Sequence, residues 1–164
     1  MYTTENTHPK NIQFLEFLTR DTKTRYVYVN AFNVFISINN IFYLIFGSIN
    51  NSIICLYLIN NTTINEIKNA HKQKIGNLKH YLDKINNRDL LLSLSNEVST
   101  DYNILKVWNI SNCECLLNIE KIYTKCKLSS ASFLKDKCEY YIITCNSVVF
   151  NKNTEPTKIF DFKK

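Results

Sequence analysis

The sequence predicts an all-β fold built from short antiparallel strands that are joined by tight turns. Apolar runs of strand length, rich in Ile, Phe, Tyr and Val, recur along the 164 residues. Turn residues separate these runs at spacings of about 8 to 12 residues, which is typical of all-β architectures. Only two glycines and two prolines are present. Asparagine must therefore form the turns, because it tolerates left-handed backbone conformations better than other non-glycine residues.

The first half of the chain contains a stretch, residues 26–65, without any charged residue. Asparagine pairs at 39–40, 50–51 and 60–61 divide it into runs shorter than the roughly 20 apolar residues of a membrane-spanning helix. We therefore predict strands with asparagine-based turns rather than a membrane span. The predicted strands are Ala31–Ser37, Ile41–Phe46, Ser52–Leu58 and an outer strand at Ile64–Ile67.

The second half repeats this pattern of short strands and polar turns. Its predicted strands are Lys74–Leu82, Asp89–Ser95, Asn103–Ile110, Cys113–Ile119, Leu128–Leu134, Tyr140–Cys145 and Thr157–Phe162. A polar leader, residues 1–30, precedes the first unit and contains one possible edge strand, Ile12–Leu18.

An internal repeat favours a β-propeller over a β-sandwich. Strands carrying Tyr57, Trp108 and Phe160 superpose with the aromatic residue in phase, at intervals of 51 and 52 residues. A near-constant period with one large aromatic per unit is typical of propeller blades. We expect a partial β-propeller of antiparallel four-stranded blades, about three blades in an open arc. The expected blades span residues 31–69, 70–120 and 121–164.

The middle unit, residues 70–110, resembles a WD repeat from end to end. Ala70-His71 takes the place of the Gly-His turn, Leu90–Ser95 that of the apolar strand ending in Ser, and Val107-Trp108-Asn109 that of the Trp-Asp ending. The resemblance implies a buried hydrogen-bond network that clamps the blade, and no catalysis. Its members would be His71, Ser93 or Ser95, Asp101 and Trp108.

The same resemblance implies a non-enzymatic scaffold that binds proteins or peptides through propeller loops, such as 70–73 and 96–102. An open arc leaves strand edges and one apolar face uncovered, so we expect the remaining blades to come from the same gene or another chain. Two alternatives are a regulatory or substrate-docking portion of a multidomain enzyme, such as a protein kinase, and a basic nucleic-acid-binding surface.

Composition and motifs argue against other functional classes. The net charge of +6 is scattered rather than clustered, so nucleic acid is an unlikely partner. With two glycines a phosphate-binding loop is nearly excluded, and no catalytic or cofactor motif is present. The six cysteines lack zinc-site spacing, and we expect them reduced in a cytoplasmic protein without a membrane segment. Neither His8 nor His80 has an evident partner in the sequence.

Overall fold

The computed structural model describes residues 31–59, 62–97, 102–120, 122, 128–136, 139–146 and 158–162. These residues form β-strands joined by turns, and no helix occurs among them. The strands are β1 (Phe32–Ile36), β2 (Phe42–Gly47), β3 (Ile53–Tyr57), β4 (Thr62–Ile67), β5 (Ile75–Asp83), β6 (Arg88–Glu97), β7 (Tyr102–Asn109), β8 (Glu114–Ile119), β9 (Leu128–Asp136), β10 (Glu139–Asn146) and β11 (Lys158–Phe162).

The strands form three open antiparallel sheets that follow one another along the chain. Sheet 1 has the order β1-β2-β3-β4, sheet 2 the order β5-β6-β7-β8, and sheet 3 the order β9-β10-β11. The predicted all-β class is therefore confirmed, and sheets 1 and 2 have the expected four antiparallel strands. Each sheet lies within one of the three ranges expected for a blade, whereas the leader 1–30 lies outside the described residues.

Asparagine supplies the turns, as expected from the scarcity of glycine. Positive φ angles occur at Asn40, Asn51, Asn69 and Asn87, and all are between 51° and 59°. The tetrapeptide Ser-Ile-Asn-Asn occurs at 37–40 and again at 48–51, and in both copies the last Asn donates a backbone hydrogen bond to the carbonyl of the Ser. This is the geometry of a three-residue hairpin loop that ends in a left-handed residue.

The turn predicted at Ser111-Asn112 differs in one respect, because its left-handed residue is Cys113, with φ of 59°. The side chain of Asn109 accepts hydrogen bonds from the backbone N–H and the hydroxyl of Ser111. Polar capping therefore stabilises this turn without an asparagine at the strained position.

Sheets 1 and 2 pack face to face through one buried apolar cluster. Sheet 1 contributes Ile45, Ile53 and Cys55, and sheet 2 contributes Leu91 and Trp108. Phe35 of β1 and Ile75 of β5 complete the contact near the edge of the two sheets. We call this layer the first seam.

The opposite face of sheet 2 packs against sheet 3 in a second cluster. Leu90, Leu92 and Leu94 alternate with the residues that face the first seam, and they contact Ala131 and Ile142 of sheet 3. Strand β6 is therefore covered on both faces, which explains its run of apolar residues without the polar alternation of a half-buried strand.

The strand registers correct the equivalence expected for Tyr57. The backbone N–H of Leu58 donates to the Phe42 carbonyl in sheet 1, and the N–H of Ile110 donates to the Asp89 carbonyl in sheet 2 in the same way. Leu58 is therefore equivalent to Ile110, and Leu56, two residues before Leu58, is equivalent to Trp108. Tyr57 lies opposite Tyr43 on the face that packs against sheet 2, whereas Trp108 points back toward sheet 1. A slip of one residue in a strand exchanges its two faces.

The corrected alignment makes the repeat more regular. Leu56 and Trp108 are 52 residues apart, and Trp108 and Phe160 are also 52 apart. The backbone of Phe160 pairs with Ile142 as Trp108 pairs with Leu91. The surroundings of the Phe160 side chain lie outside the described part of the structure.

Gly47, at the end of β2, allows a close approach between sheets 1 and 2. A Cβ at this position would lie 2.9 Å from the Cβ of Ile75. Because backbone and a β-branched side chain are difficult to displace, we predict that Gly47→Ala lowers the free energy of unfolding by about 1 to 3 kcal/mol. Urea denaturation measures this change.

Gly76 is the matched control, since it is exposed and its φ is not positive. Gly76→Ala is expected to be neutral or stabilising by up to about 1 kcal/mol, because alanine restricts the unfolded chain. Equal effects of the two substitutions would contradict the close approach at Gly47.

Candidate functional site in the first seam

Three of the residues singled out in the sequence meet in the first seam. His71 precedes β5, Ser93 lies in the middle of β6 and Trp108 lies near the end of β7. The Ser93 hydroxyl lies 2.7 Å from Nε2 of His71 and accepts a hydrogen bond of 2.8 Å from Nε1 of Trp108. All three residues are buried, and Ser93 is entirely inaccessible to solvent.

His71 is neutral in this environment. Burial, and to a smaller extent the positive charge of Lys106, lowers the pKa of His71 from 6.5 to about 3. Because Trp108 can only donate, its bond occupies one lone pair of the Ser93 oxygen. The Ser93 hydroxyl is then free to donate its proton to Nε2 of a neutral imidazole.

If Nε2 of the neutral His71 ring accepts this bond, the ring proton is on Nδ1. This nitrogen is buried and has no hydrogen-bond partner among the described residues. A proton on this nitrogen requires an acceptor nearby, since an unpaired buried donor is costly. Asp101, the carboxylate expected to join this network, lies outside the described residues, so its part stays a prediction.

Ser95, the other serine considered for the network, has a different environment. Its hydroxyl is buried but has no partner among the described residues, although it lies only two residues from Ser93 on the same strand face. Between the two alternatives drawn from the sequence, the structure brings Ser93 to His71 and Trp108.

Further bonds connect this cluster to the rim of sheet 1. The backbone N–H of His71 donates to the Asn51 carbonyl at 3.2 Å, and the Asn51 side chain donates to the Lys72 carbonyl at 3.1 Å. Lys106 extends over the Trp108 ring, with its Nζ 5.4 Å from the centroid, and donates to the Ala70 carbonyl at 2.7 Å. The connector between β4 and β5 is thus held by both sheets.

A second polar cluster in the same seam was missed by the sequence reasoning. His80, for which no partner was evident, lies with Nε2 2.7 Å from a carboxylate oxygen of Asp89. The other oxygen of Asp89 accepts a hydrogen bond from the backbone N–H of Ile38, in a turn of sheet 1. The His80 ring also stacks on Phe35, with the centroids 3.9 Å apart.

This second cluster has the geometry of a tie between sheets. Asp89 joins a side chain of sheet 2 to a backbone group of sheet 1, and both His80 and Asp89 are largely buried. The pair forms only when β5 and β6 take the register that places Leu82 opposite Asp89. The alternation of apolar and polar residues within each strand does not by itself predict that register.

Cys55, Cys113 and Cys115 are free thiols, and burial raises the pKa of Cys55 to about 12. A thiol with that pKa stays protonated and unreactive at neutral pH. Within the described ranges, no three His, Cys, Asp or Glu side chains are arranged to hold a metal ion.

Comparison of the chain with models of known protein families and with curated proteins gives no match. Over the residues that the structure describes, no helix is long and apolar enough to cross a membrane.

The two serines provide a matched test of the hydrogen-bond network. Ser93→Ala leaves the buried Nε1–H of Trp108 and Nε2 of His71 without a partner, so it should lower the free energy of unfolding by about 1 to 3 kcal/mol. Ser95→Ala removes a hydroxyl that makes no hydrogen bond to the described residues, and it should change the free energy of unfolding by less than about 0.5 kcal/mol. The fluorescence of Trp108, the one tryptophan, reports unfolding of both variants.

The lowered pKa of His71 predicts acid sensitivity. The unfolded chain takes up a proton at this residue below pH 6.5, whereas the folded chain does so only near pH 3. Stability is therefore fully present above pH 6.5 and falls as the pH drops toward 3, by at most about 1.4 kcal/mol per pH unit. Urea denaturation at several pH values measures the slope.

His71→Gln retains a polar side chain but cannot titrate in this range. Its curve of unfolding free energy against pH should be flatter than that of the unmodified protein between pH 6.5 and 4. Parallel curves would show that His71 is not the group responsible for the loss.

Proposed function

We propose that the chain is a set of WD-repeat-like propeller blades that acts as a non-enzymatic protein-interaction scaffold. The observation that carries this proposal is the repetition of one inter-sheet arrangement along the chain. The backbone N–H of His71 donates to the Asn51 carbonyl between sheets 1 and 2, and that of Ile122 donates to the Asn103 carbonyl between sheets 2 and 3. Both bonds are 3.2 Å long, and Asn51 and Asn103 are 52 residues apart.

The environment of the titratable side chains supports a scaffold over an enzyme. His71 has Nε2 engaged with Ser93, and His80 has Nε2 engaged with Asp89. A general base must reach a substrate proton, and a histidine that is 4% exposed with a pKa of about 3 is poorly suited to that task at neutral pH. His71 and His80 instead connect neighbouring sheets, because His71 bonds to Asn51 and the His80 ring stacks on Phe35, both in sheet 1.

The rim at the His71 end of the sheets is the binding surface that we favour. Loop 48–51 and the connector 68–74 meet there, and the bonds of Asn51 to both His71 and Lys72 hold their backbones together. Ile49, Lys72 and Lys74 are exposed on this rim. A rigid backbone with exposed apolar and cationic side chains suits a protein segment that carries apolar and acidic residues.

The rim can be tested with paired charge-reversal variants of the full chain. Ile49→Asp/Lys72→Glu changes the proposed surface, whereas Ile85→Asp/Lys84→Glu makes the same changes in loop 84–87 at the opposite end of sheet 2. Quantitative mass spectrometry of proteins that co-purify with each bait measures binding. We expect partners whose recovery falls about tenfold or more with the first variant and is unchanged with the second, a loss of about 1.4 kcal/mol.

Circular dichroism and Trp108 fluorescence should show that both variants remain folded. Equal recovery of every co-purifying protein with the two baits would contradict the choice of rim. Recovery that disappears after nuclease treatment would instead favour a nucleic-acid-binding surface.

A further inference from the structure

Sheet 1 has a second apolar face, on the side away from sheet 2, which we call the outer face. Its side chains come from alternate residues of β1, β2 and the β3 segment, and they stand in three cross-strand rows. Every position in these rows is apolar. The rows are Phe32, Phe46 and Ile54; Val34, Leu44 and Leu56; and Ile36, Phe42 and Leu58.

Burial divides the outer face into two halves. Phe32, Val34 and Ile36 of β1 are 67%, 53% and 48% exposed. Leu44 and Leu56, in the same row as Val34, are each only 3% exposed. A side chain on a sheet surface needs a second layer above it to be buried to that extent. The half of the face over β2 and β3 is thus covered around Leu44, Phe46 and Leu56, whereas the half over β1 and the end of β2 at Phe42, which is 50% exposed, are not.

The described residues do not provide that layer. Leu44, Phe46 and Leu56 form a cluster whose other members, Ile54 and Leu58, belong to the same face of the same sheet. Sheets 2 and 3 pack on the other side of sheet 1 or beyond it. The described residues therefore do not account for the burial of Leu44 and Leu56.

We propose that the leader segment Ile12–Leu18, a possible strand by its sequence, docks on the outer face of sheet 1 over Leu44, Phe46 and Leu56. Five of its seven residues are apolar: Ile12, Phe14, Leu15, Phe17 and Leu18. Twelve residues connect Leu18 to Ala31, which directly precedes β1. That connection can span up to about 40 Å, whereas β3 lies only about 10 Å from β1.

The number of strands that are buried on the outer face distinguishes a single docked segment from a second sheet packed against it. Sheet 2 covers sheet 1 from Phe35 on β1 to Ile67 on β4 in the first seam. On the outer face the buried part is limited to two strands, which is the width that one extended segment can cover. A second copy of the chain, docking through a whole sheet, would cover Phe32 and Val34 as well. The inference does not depend on the proposed function.

Docking of the leader would protect the protein from self-association. An uncovered apolar face invites pairing with other chains, and sheet 1 has no described sheet on this side. The leader would reduce the exposed apolar area to the strip formed by Phe32, Val34, Ile36 and Phe42.

Thiol labelling in the full chain tests the contact. Leu44→Cys places a thiol in the covered half, and Val34→Cys places one directly opposite it in the uncovered half. Maleimide labelling at each position is followed by peptide mass spectrometry, which separates it from labelling of the native cysteines. We expect position 44 to label at least about tenfold more slowly than position 34. Leu56→Cys repeats the test if Leu44→Cys does not fold.

The leader is then changed in each cysteine background. Substitution of Phe14, Leu15 and Phe17 by Asp should raise the rate at position 44 to that at position 34 and leave position 34 unchanged. The matched control substitutes Thr3, Thr4 and Asn6 by Asp, which adds the same charge to the leader without removing apolar residues. This control should leave both rates unchanged.

Three results would overturn the proposal. They are fast labelling of position 44 with the leader intact, slow labelling that persists after the leader substitutions, and protection that increases with protein concentration together with a dimer in light scattering. The last result would assign the outer face to a second copy of the chain. Loss of partner binding in the rim variants tests the proposed function separately, because those variants leave the outer face intact.

Discussion

Burial of strand β6 on both faces is the constraint on which the arrangement of the sheets depends. Leu91 and Ser93 face sheet 1, while Leu90, Leu92 and Leu94 face sheet 3. Burying apolar surface contributes about 25 cal/mol per Å², so a strand that is apolar on both sides is stable only between two layers. Sheet 2 is accordingly the middle layer between sheets 1 and 3.

Because both faces of sheet 2 are buried, polar groups between the sheets must also find hydrogen-bond partners within the protein. A polar atom between two sheets has no access to water, and it costs free energy unless another protein group bonds to it. In the first seam Ser93 meets this requirement for His71 and Trp108, and Asp89 meets it for His80 and the backbone of Ile38. These bonds are directional, so they select one alignment of the sheets among the many that apolar contact alone would permit.

Asparagine has two distinct roles in a chain with so little glycine. Residues such as Asn40 and Asn51 adopt left-handed backbone conformations at the turns. Asn33 and Asn65 instead donate side-chain hydrogen bonds from sheet 1 to the backbone carbonyls of Leu78 and Ile110 in sheet 2. Asn51 does both, because it ends a hairpin loop and also binds the connector at Lys72. Asparagine thus links backbone conformation to sheet packing.

The amino-acid sequence by itself determined the strands, their turns and the approximate bounds of each unit, because apolar runs and asparagine pairs are local signals. It also pointed to His71 and Trp108 through the resemblance of the middle unit to a WD repeat. It did not determine which residues of β3 face sheet 2, because Ile53 to Leu58 are apolar at every position. Alternation cannot assign faces to such a strand, and the match of Trp108 was placed on Tyr57 instead of Leu56.

Only the tertiary structure decided which polar atoms meet. Ser93 and Ser95 are equivalent in local sequence, but the position of His71 across the seam leaves one bonded and the other without a described partner. The pair of His80 and Asp89 likewise depends on the register of β5 with β6 and on the approach of a turn from sheet 1. Such contacts depend on where two strands and two sheets align, and that alignment is set by packing over the whole interface rather than by neighbouring residues.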